Sequence, residues 1–190
     1  MFKCFFKKQA FLFLLFMLVS CENQNLKSQL FLEHNFLKII DAEAHPEGFT
    51  QRKITKLKKS EKTIIQLDPK IAYNEDADEL LVDFFDKNPF YKDQFKDLIY
   101  DISYNEFSID HKFAKQIGGY SIHFNSSRAT DEPRDKNTER FAVKNFKSFD
   151  NKAMLVLSKT ENKHIIVSVL LFVKNKSKWA IVKREILAKT

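Results

Sequence analysis

Few residues in this chain could do chemistry, and the best placed of them is a cysteine. There are two, Cys4 and Cys21. A thiolate is a nucleophile or a metal ligand, and Cys21 follows Leu18-Val19-Ser20 at the end of an apolar run. The five histidines, at 34, 45, 111, 123 and 164, show none of the i, i+2 or i, i+4 spacings that build a metal site from one element. His123 and His164 fall on different expected strands and could meet in space, but partly exposed histidines on wet strand faces are the plainer reading. Asn74-Glu75-Asp76-Ala77-Asp78 has the alternating oxygens of a calcium loop, yet Glu79 stands where glycine must turn the chain and Phe85 where a bidentate glutamate is needed. A helix cap with an acidic first turn accounts for the same residues. There is no Gly-x-Ser-x-Gly elbow, and three glycines cannot build a phosphate loop. Asp83 and Asp86, three apart, could share a helix face, but acid–base work needs a pocket that shifts one pKa, and a solvated helix surface is expected. No catalytic residue, metal ligand or cofactor is assigned.

The region before Cys21 explains its position. Lys3, Lys7 and Lys8 make a basic start, and Ala10 to Ser20 is eleven residues with ten apolar members. That run is too short for a stable membrane-crossing helix, which needs about 20 residues. A positive start, an apolar middle and small residues near a cut site form a secretory signal peptide. Leu18-Val19-Ser20-Cys21 resembles the lipobox of bacterial lipoproteins. The resemblance implies that the Cys21 sulfur takes a diacylglyceryl thioether, that a dedicated peptidase then cleaves before it, and that palmitate-type chains hold the product on a membrane of the cell envelope. Two or more acyl chains exceed the threshold for lasting attachment, at about 0.8 kcal/mol per buried methylene.

The charge must be read without the leader. The whole chain carries 32 basic and 25 acidic residues, a net +7; without the three leader lysines the charge is +4, mildly basic. With Cys4 removed, Cys21 is the sole cysteine, so neither an internal disulfide nor a cysteine-built metal site is expected. The one dense basic cluster is Arg52, Lys53, Lys56, Lys58, Lys59 and Lys62. It is read as a solvated lysine-rich face, with contact to anionic headgroups or to an acidic partner as alternatives. Nucleic acid is not expected, because an exported protein does not meet it and no aromatic side chains interleave the cluster for base stacking.

Three segments follow: 1–20 as signal peptide, 21–48 as lipidated cysteine, tether and a helix, and 49–190 as a single domain. Leu26, Leu30, Phe31, Leu37 and Ile40 are loosely helical, ending at His45-Pro46-Glu47-Gly48. Ile64 to Leu67 reads as a strand, alone after a loop or as one of a pair. Ala77, Leu80, Leu81, Phe84 and Phe85 form one helical stripe, capped by Asn74. Asn88-Pro89 stops that helix and starts another, with Tyr91, Phe95, Leu98 and Ile102 on one face. Ile109, Phe113 and Ile117 suggest a last short helix closed by Gly118-Gly119. From Tyr120 the period becomes two. Ser126 to Glu139 is a polar loop with Arg128, Asp131, Glu132, Pro133, Arg134, Asp135 and Lys136. Four strands then follow, at about 140–147, 152–159, 164–174 and 178–187. Their short connections admit only antiparallel neighbours, and the apolar residues on both faces of 164–174 predict a covered strand.

The expected class is α+β: two to three helices, then a curved antiparallel sheet of about four to six strands. Over about 74–187 this resembles the cone-shaped nuclear transport factor two-like fold, which implies a curved sheet around a pocket but no particular activity. The expected function is a membrane-anchored envelope lipoprotein, a non-catalytic binding or interaction module that meets the membrane through Cys21 and an envelope partner. Its alternatives are an enzyme of the cone type using His123, Tyr120 or Asp110, and an immunity-type inhibitor working through the 126–139 loop. Ligand, leaflet and oligomeric state are not legible.

Overall fold

The structure, a computed structural model, describes residues 24–40, 63–125, 138–161 and 164–190. The first element is a helix over 24–40, α1. Its Phe31, Leu32, Phe36, Ile39 and Ile40 are buried in the main core; their i, i+1, i+5, i+8, i+9 spacing places them on one side of the cylinder. The helix foreseen within 21–48 therefore forms, and it is part of the packed body.

Next come the strand Thr63–Leu67, β1, and the two-residue strand Lys70–Ile71, β2. The helix Glu75–Lys87, α2, starts at Asn74, whose side chain accepts from Ala77 N at 2.9 Å. Ala77, Leu81, Phe84 and Phe85 are buried, as the stripe requires. Pro89 opens α3, Pro89–Gln94, as expected of a residue with fixed φ and no N–H. Asn88, however, caps the helix behind it: its Nδ2 donates to Phe84 O at 2.9 Å. The expected second helix is split at Phe95, and α4, Lys96–Tyr100, follows. Phe95 and Leu98 are fully buried, while Ile102 lies beyond the helix end.

The short helix expected over 109–117 does not form. Strand β3, Phe107–Ser108, pairs with β2. Asp110 then takes over the local hydrogen bonding: its Oδ1 accepts from Lys112 N at 2.8 Å and its carbonyl from Phe113 N at 3.0 Å. Aspartate side chains compete in this way with helix formation. Gly118-Gly119 is the turn between β4, Gln116–Ile117, and β5, Tyr120–Phe124. Gly118 has φ +61, and a Cβ there would come within 2.9 Å of Leu37 in α1. Glycine serves a left-handed turn against a helix, so a spacing of four between apolar residues was a poor guide at this point.

The last four strands are β6, Thr138–Phe149, β7, Lys152–Glu161, β8, His164–Asn175, and β9, Lys178–Lys189. They form an antiparallel meander, as their short connections demanded. The seven-stranded sheet has the order β4-β5-β1-β6-β7-β8-β9. Strand β1 enters between β5 and β6 and runs parallel to both. The described residues are thus α+β, with four helices and more strands than the expected four to six, and the sheet is not purely antiparallel. A strand that precedes α2, α3 and α4 can pair with the later strands only through long-range contacts, which local periodicity does not report.

Each face of the sheet carries its own layer. Leu155, Leu157, Leu170 and Phe172 pack with α1; Met154, Val156, Val169 and Leu171 pack with α2, α3 and α4. Strand β8 is therefore covered on both sides along its middle, as its composition predicted. Irregularities in register lie between Val143 and Asn145, Val167 and Ser168, and Leu171 and Phe172; such bulges bend strands and raise their twist.

Candidate functional site

Among the described residues, Tyr73, Asp78, Tyr104 and Lys147 form one cluster of ionisable side chains. They lie where the first turn of α2, the 104–106 segment and β6 meet. The bulge in β6 creates the meeting point. Up to Val143 the odd residues face α1; after the bulge Phe146 faces α1 instead, so Asn145 and Lys147 turn toward α2 and α4.

Asn145 is buried and pairs twice with the backbone of one residue. Its Oδ1 accepts from Asn74 N at 2.7 Å and its Nδ2 donates to Asn74 O at 3.0 Å. Asn74 in turn caps α2, so the side chain of Asn145 fixes where that helix begins. Four residues on, Asp78 accepts from the Tyr104 hydroxyl and from the Tyr73 hydroxyl at 3.4 Å. Glu106 Oε1 accepts from Tyr73 N at 3.1 Å, and the two tyrosine rings lie 5.1 Å apart.

Lys147 is only 6% exposed. Its ammonium donates to Ile99 O at 3.3 Å and sits 4.1 Å from the centroid of the Tyr104 ring, a cation–π distance. Burial lowers its pKa, and the negative charge of Asp78 partly opposes the shift. Tyr104 moves strongly upward, first through burial and then through its bond to Asp78. Tyr73 moves the same way, through lost hydration first and the charge of Asp78 next.

These groups are satisfied by one another. The carboxylate has two hydroxyl donors, the tyrosines are held as neutral donors, and the lysine is spent on a carbonyl and a ring. As arranged, the cluster ties α2, α4 and β6 into one layer. That is positioning chemistry, and it presents no unpaired nucleophile to a substrate.

The residues singled out from the sequence are scattered. His123 is exposed on β5, while Tyr120 on the same strand is buried; three positions apart, they face opposite sides. Asp110 binds the ring of exposed His111 at 2.6 Å. His164 is exposed, with Nδ1 2.9 Å from Thr190 O. It lies four strands along the sheet from His123, about 19 Å at the usual strand spacing, so they do not form a pair. Asp83 and Asp86 are exposed, and Asp86 pairs with Lys92 at 2.6 Å. Cys21, the cluster Arg52, Lys53, Lys56, Lys58, Lys59 and Lys62, and residues 126–137 of the polar loop lie outside the described residues.

Sequence reasoning missed Asn145, Lys147 and Tyr104. One signal was available: between Phe141 and Ser148 the apolar positions change from odd to even, at Val143 and Phe146, the mark of an inserted residue. Tyr104 had no such mark, because it sits on an irregular segment.

No protein-family model, no curated protein and no solved structure matches this chain. Among the described residues no helix is long and apolar enough to cross a membrane.

Proposed function

We propose that this protein is an envelope lipoprotein, held to a membrane by lipid on Cys21, whose α+β domain is a non-catalytic binding or interaction module. The observation that carries the reading is Leu18-Val19-Ser20-Cys21 at the end of a basic-then-apolar leader, with a helical, core-packed segment from residue 24 onward. The nucleophile that accepts the lipid is then the Cys21 thiolate. The partly exposed cluster at Asp78 supports the non-catalytic half in that its ionisable groups are engaged with each other. The curved, cone-type sheet remains part of the proposal, supported by the three irregularities in β6, β8 and β9.

The test is metabolic labelling with radioactive palmitate, combined with mass spectrometry of the purified protein. The expected product starts at residue 21, carries acyl chains, partitions into detergent, and loses the label in Cys21→Ala. A polypeptide retaining Met1, or one beginning elsewhere without lipid, would end the reading.

A further inference from the structure

Ser28 lies seven positions after Cys21, and the surroundings of Ser28 say which end of the domain an anchor would hold down. Asn105 Nδ2 donates to Ser28 Oγ at 2.8 Å and reaches Ser148 Oγ at 3.3 Å. The beginning of α1 therefore lies beside the last residues of β6, next to the β6–β7 turn at Asp150-Asn151. The β8–β9 turn is at the same end, since Lys174 N donates to Asn151 O at 2.7 Å.

Reach is short. Three residues of fully extended chain span at most about 11 Å, and helix 24–28 adds about 6 Å at 1.5 Å per residue. A sulfur fixed in the bilayer therefore keeps Ser28 within about 17 Å of it. The polar headgroup region is several ångströms deep on each side of the hydrocarbon, so this end of the sheet is the one brought against the headgroups.

Its composition suits that contact. Residues 149–152 and 174–178 contain Lys152, Lys174, Lys176 and Lys178 against a single Asp150. Lys152 is engaged by Asp97 at 3.3 Å. Lys174, Lys176 and Lys178 are exposed, as is Lys27 on α1. Phe149, 54% exposed as the last residue of β6, and Leu26, 55% exposed on the first turn of α1, add apolar side chains to the same end. Cations beside exposed apolar groups are the combination that binds an anionic interface.

The geometry points to a membrane-docking surface at this end, with Lys174, Lys176 and Lys178 receiving the phosphate groups of anionic lipids and Phe149 and Leu26 entering the interface. It rests on the lipoprotein reading for its orientation, but the surface itself can be tested without the sulfur. Each lysine close to an anionic surface contributes about fivefold in partition, so reversing three should cost about a hundredfold or more.

A chain beginning at Glu22 retains every buried core side chain between Phe31 and Phe172 and is the probe. It is expected to co-sediment with phosphatidylcholine vesicles that contain phosphatidylglycerol, to release in high salt, and to lose about a hundredfold in partition in Lys174→Glu/Lys176→Glu/Lys178→Glu. Lys189→Glu, at the other end of β9, should bind like the parent. Equal binding by parent and triple variant, or no preference for phosphatidylglycerol, overturns the inference. Acetylation footprinting of the full chain in the same vesicles gives an independent readout: Lys174, Lys176 and Lys178 should be protected several-fold relative to Lys189, and equal labelling also overturns it. Failure of palmitate labelling alone would remove the anchor while leaving these results to judge the surface.

Discussion

The two faces of the sheet combine packing and hydrogen bonding in different proportions. On the α1 face the contacts are aromatic: Phe31 lies 5.2 Å from Phe146, 5.2 Å from Phe172 and 5.0 Å from Trp179, the latter two edge-on. On the α2–α4 face the core is apolar at its centre, but at one edge it carries Asn145, Lys147, Asp78 and Tyr104. Dispersion and burial tolerate small shifts, so packing alone fixes a helix loosely along its axis. Hydrogen bonds at 2.7 to 3.0 Å between Asn145 and Asn74 fix the start of α2 to one residue. The α1 face leans more on aromatic burial, with its start held by Asn105 to Ser28 and Asp110 N to Gln29; on the other face the pinning bonds include a buried side chain, Asn145.

That contrast can be broken from either side. The largest effect should come from Phe172→Ala, which opens a cavity against Phe31; a loss of about 3–5 kcal/mol is expected in denaturant titration, with exchange protection lost across the whole protein. Asn145→Leu should cost about 2–3 kcal/mol, because it removes both bonds to the Asn74 backbone and leaves the Asn74 N–H without a partner, while Asn74 O keeps the N–H of Asp78. Its exchange protection should fall first in α2, at Ala77 to Leu81; an equal fall in α1 would show that the clamp does not act locally.

Tyr104→Phe should cost about 2 kcal/mol at neutral pH through the bond to Asp78. Its signature is in alkali. The native pKa of Tyr104 lies above its ordinary value of about 10, so above that pH the unfolded chain gives up its proton first. Stability conferred by this group is complete below about pH 10 and declines as pH rises through the range up to the native pKa. The variant should show a shallower alkaline decline; identical slopes would mean that the hydroxyl is not buried against the carboxylate. The smallest effect belongs to Lys92→Ala. It breaks the 2.6 Å pair with Asp86, but the two side chains are 37% and 61% exposed, and a change within about 0.5 kcal/mol is expected.

Local signals carried a good part of the architecture. The Asn74 cap, the Ala77 to Phe85 stripe, the Pro89 start and the alternation from Tyr120 each depend on neighbours within one or two turns, and each is present. The glycine pair misled, because a left-handed residue closes a helix or a hairpin equally well, and Asp110 chose between them through bonds to Lys112 and Phe113. The polar clamp was hardest to see. Asp78 looked like an ordinary first-turn acid, and nothing near it in sequence announces Tyr104, 26 residues away, or Asn145, 71 from Asn74.

The basic-then-apolar stretch ending at Cys21, the amphipathic spacing of α1 and α2 and the order of the last four strands are properties of the sequence read a few residues at a time. Tertiary structure alone decided that β1 enters the sheet between β5 and β6, that α1 belongs to the core, and that the start of α1 shares an end with the lysine-bearing turns. The physical reason is common to all three: they depend on pairing between residues far apart in the chain, where closing the loop and burying the matching face settle the outcome and local propensity has no vote.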